Sequence, residues 1–250
     1  MPMVEPDLER EAERLLGALS ERNLDVRLLG GIGIRLAVGA GLHPSLTRPH
    51  NDIDLITTKR DGSAVEAALA ELGWEPHREF NALNGARRLL FTDPATGHKI
   101  DAFVDNFEMC HRLPLVGRFA FSERTLSPAD LLLTKLQIVE LNAKDRGDCY
   151  ALLFRFPAAA DSRPEAIDVA WIAELAARDW GLHHTLEINL ARLREGLDET
   201  ELQSSARATI EATIGRIETA IDTAPKTRGW KLRARIGERK RWYEEPEEIG

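Results

Sequence analysis

Two aspartates that stand two residues apart in an apolar segment, Asp52 and Asp54, constrain the fold of this chain more than any other feature. Residues i and i+2 of a β-strand project from the same face, so the two carboxylates would lie side by side. Adjacent negative charges disfavour each other's ionisation, and a fold that keeps them needs positive charge between them. The pattern therefore favours a β-sheet whose face binds a divalent cation.

Two other segments fit the same kind of site. Upstream, the apolar segment 26–29 ends in a glycine pair, Gly30 and Gly31, and downstream the alternating segment 99–103 carries Asp101. A glycine turn that leads into a helix exposes backbone N–H groups to which phosphates bind. The three features together predict a metal site that handles phosphate groups.

The bulk composition indicates a globular protein. With 250 residues and 43% hydrophobic content, the chain can form one large domain or two small ones. No run approaches the roughly 18 apolar residues of a membrane span, and the acidic first residues lack the apolar core of a signal peptide, so we expect a cytoplasmic protein. Cys110 and Cys149 lack metal-ligand spacing and are expected to be small buried hydrophobic residues.

The formal charge of −8 argues against nucleic-acid binding by the surface as a whole. Residues 226–241 are a local exception, with eight Lys and Arg against a single glutamate. This segment is either the solvated basic face of a helix or a contact for RNA or a nucleotide tail. The sequence leaves both open.

Hydrophobic periodicity predicts a mixed α/β part followed by an all-α part. The division falls at the linker 157–164, which gives a first domain over 1–156 and a helical domain over 165–250 with three or four helices. The predicted elements of the first domain are strands at 25–29, 52–57, 74–80, 87–92 and 99–104 and helices at 7–22, 34–38, 63–72, 127–141 and 144–154.

Transfer of a nucleotidyl group to a hydroxyl would explain the three aspartates. The reaction needs a neutralised α-phosphate, a deprotonated acceptor oxygen and a stabilised pyrophosphate, and two Mg²⁺ ions on oxygen ligands can meet these needs. In this interpretation Asp52 and Asp54 hold both ions, while Asp101 completes one of them and accepts the acceptor's proton. The amides of Gly30 and Gly31 would approach the β- and γ-phosphates.

Two other interpretations fit part of this pattern. A dinucleotide-binding fold is suggested by the Gly-Ile-Gly of residues 31–33 after a strand, but Leu36 replaces the third glycine and the later acids have no role. A purely structural explanation has Asp52 capping a strand end and Asp54 paired with Arg48.

The glycine pair, the Asp-Ile-Asp-Leu segment 52–55 and the Lys-Ile-Asp segment 99–101 resemble the nucleotidyltransferase superfamily typified by DNA polymerase beta. The segment 47–54, Thr-Arg-Pro-His-Asn-Asp-Ile-Asp, is similar to aminoglycoside and lincosamide adenylyltransferases. The resemblance implies a nucleoside triphosphate substrate, with ATP expected, and two Mg²⁺ ions. Gly31 departs from the pattern, because many relatives have serine there.

Residues 131–136 and 144–148 resemble the helical pair of nucleotidyltransferases that act as toxins of abortive-infection systems. That resemblance implies that Lys135 contacts phosphates and that Asp145 belongs to the site. From the residues alone, Lys135 could instead be a snorkelling lysine, and Asp145 a helix-terminal charge. Arg35 and Arg48 would either reach phosphate oxygens or form surface ion pairs.

The sequence thus predicts an α/β mixed-sheet nucleotidyltransferase fold followed by an all-α helical bundle. The expected enzyme transfers a nucleoside monophosphate from a triphosphate to a hydroxyl acceptor, which is a small molecule such as an antibiotic. The alternatives are a toxin-type enzyme that acts on tRNA or protein, and a non-catalytic nucleotide-binding protein with the same fold. Acceptor, base preference, an antitoxin partner and the oligomeric state stay open.

Overall fold

The computed structural model describes residues 8–161 and 163–245, which form two compact units. Within these residues, unit 1 comprises 8–37, 48–107 and 113–126, and unit 2 comprises 38–47, 108–112 and the described residues from 127 onward. Each unit is a compact part of the fold and need not be a domain. The division into two domains at 157–164 remains a prediction.

Unit 1 contains the mixed sheet that the sequence predicts. Its strands are β1 (Val26–Leu29), β2 (Asp52–Thr57), β3 (Glu75–Pro76), β4 (Arg88–Thr92) and β5 (Lys99–Val104), in the order β1-β2-β5-β4-β3. The central strands β2 and β5 are parallel, and the other neighbouring pairs are antiparallel. Both central strands begin with an exposed residue and become buried toward their ends, which leaves their first residues for a site.

Four helices accompany this sheet: α1 (Leu8–Glu21), α2 (Gly30–Val38), α3 (Gly62–Glu71) and α4 (Arg78–Asn84). The buried positions of α1 are Leu8, Ala12, Leu15 and Leu19, the spacing of an apolar helix face. They belong to one hydrophobic core with the buried residues of the sheet. Each fully buried leucine contributes about 1.5–3 kcal/mol, so this face holds α1 in place.

The predicted strand over 74–80 is wrong in its second half, because α4 begins there. His77 caps this helix, with its Nδ1 accepting a hydrogen bond from the amide of Phe80 at 3.3 Å. Asn81 then bonds the backbone of Leu90, donating to its carbonyl at 3.3 Å and accepting from its amide at 2.8 Å. These side-chain bonds supply partners that a longer strand would have taken from a neighbour.

Two short strands, β6 (Phe107–Glu108) and β7 (Arg112–Leu113), precede the helical part. The remaining elements lie in unit 2 and are α5 (Pro128–Leu136), α6 (Ala143–Arg155), β8 (Ala158–Ala159), β9 (Ile167–Asp168), α7 (Val169–Arg178), α8 (Trp180–Gly196), α9 (Ser204–Thr223) and α10 (Arg228–Ile236). Short 3₁₀ turns occur at Gly39–Gly41, Pro44–Leu46, Val116–Phe121, Leu197–Glu199 and Gly237–Arg239. The helical C-terminal part is confirmed, while the predicted linker 157–164 contains the strand β8.

Helix α5 is buried along its whole length apart from Lys135, and its buried residues include the polar Asp130 and Thr134 as well as four leucines. Ser127 caps it by accepting a hydrogen bond from the amide of Asp130, and it ends at Leu136. The predicted extension to residue 141 is wrong. Gln137 ends the helix instead, and its side-chain oxygen accepts a hydrogen bond from the amide of His111 at 2.8 Å.

Cys110 and Cys149 are free and buried, as the sequence predicts. None of the helices in the part of the chain that the structure describes combines the length and the apolar character of a membrane span.

Candidate active site

The three predicted aspartates lie on one face of the sheet in unit 1. The parallel register of β2 and β5 places Asp54 directly opposite Asp101, and Asp52 precedes Asp54 by two residues. Residues opposite each other and residues two apart share a face, so all three carboxylates belong to it. Asp52 is exposed, whereas Asp54 and Asp101 are partly buried.

The glycine pair lies against this face. Gly30 follows β1 with φ +61°, and a Cβ built on it would stand 1.7 Å from Oδ2 of Asp54. A Cβ on Gly31 would stand 2.4 Å from Nδ1 of His50 and 2.6 Å from Nη2 of Arg48. Side chains at these two positions would overlap the groups around them. The turn therefore favours glycine at 30 for its backbone conformation and at 31 for the space it leaves, and it brings these three side chains to the start of α2.

Asp101 is held by an arginine that the sequence analysis did not single out. Arg88 of β4 donates from Nε to Oδ1 of Asp101 at 2.8 Å and from Nη2 to Oδ2 at 2.5 Å. Both side chains are largely buried, with 11% and 18% exposure. Burial raises the pKa of the Asp101 carboxyl above its ordinary value, Arg88 acts against this increase, and the charge of Asp52 adds to it.

The two other arginines proposed as phosphate contacts have local partners. Arg35 on α2 forms an ion pair with Glu9 at 3.4 Å, and Arg48 donates from Nη1 to the carbonyl of Pro49 at 3.3 Å. Their roles toward phosphate stay predictions.

The donor set suits a hard cation in its chemistry, because three carboxylates on one sheet face offer the oxygen ligands that Mg²⁺ prefers. Within residues 8–161 and 163–245, no three or more His, Cys, Asp or Glu side chains are positioned as a group that could hold a metal ion. Arg88 occupies both oxygens of Asp101. The three carboxylates therefore fit a metal in their chemistry, and Arg88 is the group that competes with it for Asp101.

Comparison with protein families decides the class of enzyme. A family model described as uncharacterised nucleotidyltransferase matches residues 7–133, about half of the chain. The chain belongs to this family. The matched part of the nucleotidyltransferase includes the glycine pair and all three aspartates, and the predicted class of enzyme is confirmed.

The nucleotidyltransferase is also similar to solved structures. They include ANT(2'')-Ia in complex with adenylyl-2''-tobramycin, at 17% identity over 58% of this chain and 87% of that one with a TM-score of 0.42. A solution structure of the antibiotic-resistance factor ANT(2'')-Ia is 18% identical over 72% of this chain and 98% of that one, with a TM-score of 0.46. The lincomycin-bound lincosamide antibiotic adenylyltransferase LnuA is 16% identical over 58% of this chain and 95% of that one, with a TM-score of 0.41. At these sequence identities and TM-scores, the similarity carries no information about the substrate or the acceptor of this chain. No curated protein sequence matches the chain.

Unit 2 of the nucleotidyltransferase brings together Lys135, Asp145 and Asp148. The Lys135 ammonium lies 2.8 Å from Oδ1 of Asp145 and 3.1 Å from Oδ2 of Asp148, and all three side chains are at most 12% exposed. Asn142 caps α6 by accepting a hydrogen bond from the amide of Asp145. Burial raises the pKa of the neighbouring Cys149 thiol well above its ordinary value, and the Asp148 carboxylate adds to that increase. The buried ammonium of Lys135 thus forms ion pairs with both carboxylates.

Two residues of the candidate site were not assigned a role from the sequence. Arg88 lies next to Arg87 at the start of a strand, and only the pairing of β4 with β5 shows which of the two faces Asp101. His50 is part of the segment 47–54, and the sequence assigns it no role of its own. Its position over Gly31 depends on the path of the chain between α2 and β2, which periodicity does not report.

Proposed function

We propose that this nucleotidyltransferase transfers a nucleoside monophosphate from a triphosphate, with ATP expected, to a hydroxyl acceptor in a Mg²⁺-dependent reaction. The observation that carries the proposal is the register that sets Asp54 opposite Asp101, with Asp52 two residues away and Gly30 in contact with Asp54. Bound Mg²⁺ would neutralise the phosphates and lower the pKa of the acceptor hydroxyl.

The residues of unit 1 take distinct roles in this proposal. Asp52 and Asp54 would hold the cations, and Asp101 would complete the set and accept the proton of the acceptor hydroxyl. The first amides of α2, beginning at Gly30, would donate to the β- and γ-phosphates at a positive helix terminus. Arg48, whose guanidinium already lies beside Gly31, would contact the same phosphate oxygens.

Lys135 and Asp145 keep their proposed parts in nucleotide binding. Their support is the buried ion pair at 2.8 Å, which holds the lysine in a defined place. Titration of ATP with Mg²⁺ into wild type and Lys135→Met, followed by calorimetry, tests this role. Equal ATP affinity of two folded proteins would leave Lys135 a purely structural residue.

We propose a small cationic molecule that carries hydroxyls, such as an aminoglycoside, as the acceptor. The support is the formal charge of −8, which attracts cationic ligands over long range. The test mixes protein, labelled triphosphates and Mg²⁺ with aminoglycosides, lincosamides or bulk tRNA. Label on an antibiotic supports the proposal, whereas label on RNA alone refutes it.

A second acceptor class, RNA, is favoured by one observation on α10. Exposed basic side chains cover this helix and the residues after it, and we call this set the α10 basic surface: Arg228, Lys231, Arg235, Arg239, Lys240 and Arg241. The glutamate of the segment, Glu238, is bonded to His184 at 2.9 Å, and the Trp242 ring donates to Thr185 at 3.0 Å. The indole N–H of Trp242 is thus bonded within the protein, and the exposed groups of this surface are basic, so RNA would be held here through its phosphates.

Salt dependence tests the RNA proposal. Arg228→Ser/Arg235→Ser removes two cations of the α10 basic surface, and Lys59→Ser/Arg78→Ser removes two exposed cations of unit 1 as a charge-matched control. For single-stranded RNA, the first variant should reduce the slope of log affinity against log salt by about 1.4, and the control should leave it unchanged. Equal slopes in both variants would exclude α10 as an RNA contact.

A non-catalytic nucleotide-binding protein is the remaining alternative. Triphosphate that binds with Mg²⁺ and raises the melting temperature, with no transfer to any acceptor class, would favour it over the enzyme.

A further inference from the structure

The Arg88 and Asp101 pair has a consequence for metal binding, which rests on the proposed metal site. Asp101 is expected to offer oxygens to a cation, yet the guanidinium of Arg88 takes both of them. We propose that Arg88 is a latch: it takes the place of the cation on Asp101 in the metal-free protein and must release at least one oxygen when metal binds.

The geometry makes Arg88 a direct competitor of the cation. Asp101 lies opposite Leu90 and Arg88 opposite Phe103 in the pairing of β4 with β5, so the two side chains are diagonal neighbours on the face that carries Asp54. A planar guanidinium that bonds both carboxylate oxygens occupies the bidentate position and places a positive charge where a second cation would approach. Metal and arginine therefore compete for this carboxylate.

Two aromatic rings hold the charge of Arg88 in addition to Asp101. The guanidinium carbon lies 5.2 Å from the ring centre of Phe103 and 6.0 Å from that of Phe80. This cation–π attraction is present while Arg88 is bonded to Asp101, and it does not depend on the carboxylate. Arg88 is thus a positioning residue, which acts through Asp101 and the metal.

The test measures Mn²⁺ binding to the metal-free protein by the loss of the electron paramagnetic resonance signal of free Mn²⁺. Arg88→Met should bind Mn²⁺ at least tenfold more tightly than wild type, because the competing cation is gone. Arg87→Met is the matched control, with the same chemical change at the adjacent exposed residue, and should stay within twofold of wild type. An unchanged or weaker Mn²⁺ affinity of Arg88→Met would overturn the latch.

Melting temperatures measured with and without Mn²⁺ distinguish the proposed competition from a folding defect. Without metal, Arg88→Met leaves Asp101 uncompensated and should melt below wild type, and saturating Mn²⁺ should raise its melting temperature by more than it raises that of wild type. Arg88→Lys keeps a charge without the bidentate fork, so its Mn²⁺ affinity should lie between the two. Equal Mn²⁺-induced melting shifts in all three proteins would contradict the proposal.

Asp101→Asn separates the latch from the metal site itself. If wild type binds Mn²⁺ and this substitution weakens binding while Arg88→Met has no effect, only the latch fails. If wild type does not bind Mn²⁺ even with triphosphate present, the proposed metal-dependent function fails as well.

Discussion

Replacement of Gly30 by alanine tests how closely the glycine turn and the aspartate pair are fitted together. The new Cβ would stand 1.7 Å from Oδ2 of Asp54, so this carboxylate has to move by about 1.3 Å to restore a 3.0 Å contact. The φ of +61° adds backbone strain of about 1–2 kcal/mol for a residue with a Cβ. Displacement of a packed group typically costs a further 1–3 kcal/mol or so.

Gly39 offers a matched control, because its φ of +59° is nearly the same and a Cβ there meets nothing within 4 Å. We expect Gly39→Ala to lose about 1–2 kcal/mol of unfolding free energy and Gly30→Ala about 2–5 kcal/mol. Urea unfolding followed by circular dichroism, at constant m, gives both values. Because a 1 Å misplacement of a reacting group costs roughly 10²-fold, kcat/KM for nucleotidyl transfer should fall by about that factor in Gly30→Ala only.

A double-mutant cycle assigns the difference to Asp54. In an Asp54→Ala background the two nearest atoms, at 1.7 and 2.6 Å, are absent, and the Asp54 Cβ at 2.9 Å is retained. Gly30→Ala should then cost little more than the control substitution. The reasoning is refuted if Gly30→Ala is no less stable than Gly39→Ala, or if its excess cost persists without the Asp54 carboxylate.

Three further outcomes follow from the buried charges and the metal. Lys135→Met should lower the unfolding free energy, measured in urea, by about 3–5 kcal/mol, because Asp145 and Asp148 lose their buried counter-charge. The further substitutions Asp145→Asn and Asp148→Asn in this variant should recover part of the lost unfolding free energy. Burial lowers the pKa of His111 to about 4, so the unfolding free energy should fall by up to about 3 kcal/mol between pH 6.5 and pH 4, a component that pH-dependent unfolding of His111→Gln should lack. Chelation by EDTA should abolish nucleotidyl transfer, excess Mg²⁺ should restore it, and Asp101→Asn should remain at least about 10²-fold below wild type in transfer assays with Mg²⁺.

The sequence was sufficient where a feature is encoded locally. Alternation over 52–57 and 99–104 predicted β2 and β5, and the fixed period of two then placed Asp52, Asp54 and Asp101 on faces that the register brings together. The glycine pair was predicted at the right place, although α2 begins at Gly30 itself.

Features that depend on pairing between distant segments were not predicted. The bond between Arg88 and Asp101 requires the register of β4 against β5, which is set by the turn at 93–98 and by packing. Helix α4 replaced part of a predicted strand because Asn81 bonds to the backbone of Leu90, a contact between residues nine apart. Strand propensity over 74–80 gave no sign of that bond.

The fit of Gly31 beneath Arg48 and His50 couples the residue at 31 to the positions of two neighbouring side chains. Any side chain at 31 begins with a Cβ that would meet the imidazole at 2.4 Å and the guanidinium at 2.6 Å. A serine, which many nucleotidyltransferases carry at this place, would therefore push the ends of both side chains away from the turn. Such an exchange would change where the imidazole and the guanidinium lie more than it would strain the backbone.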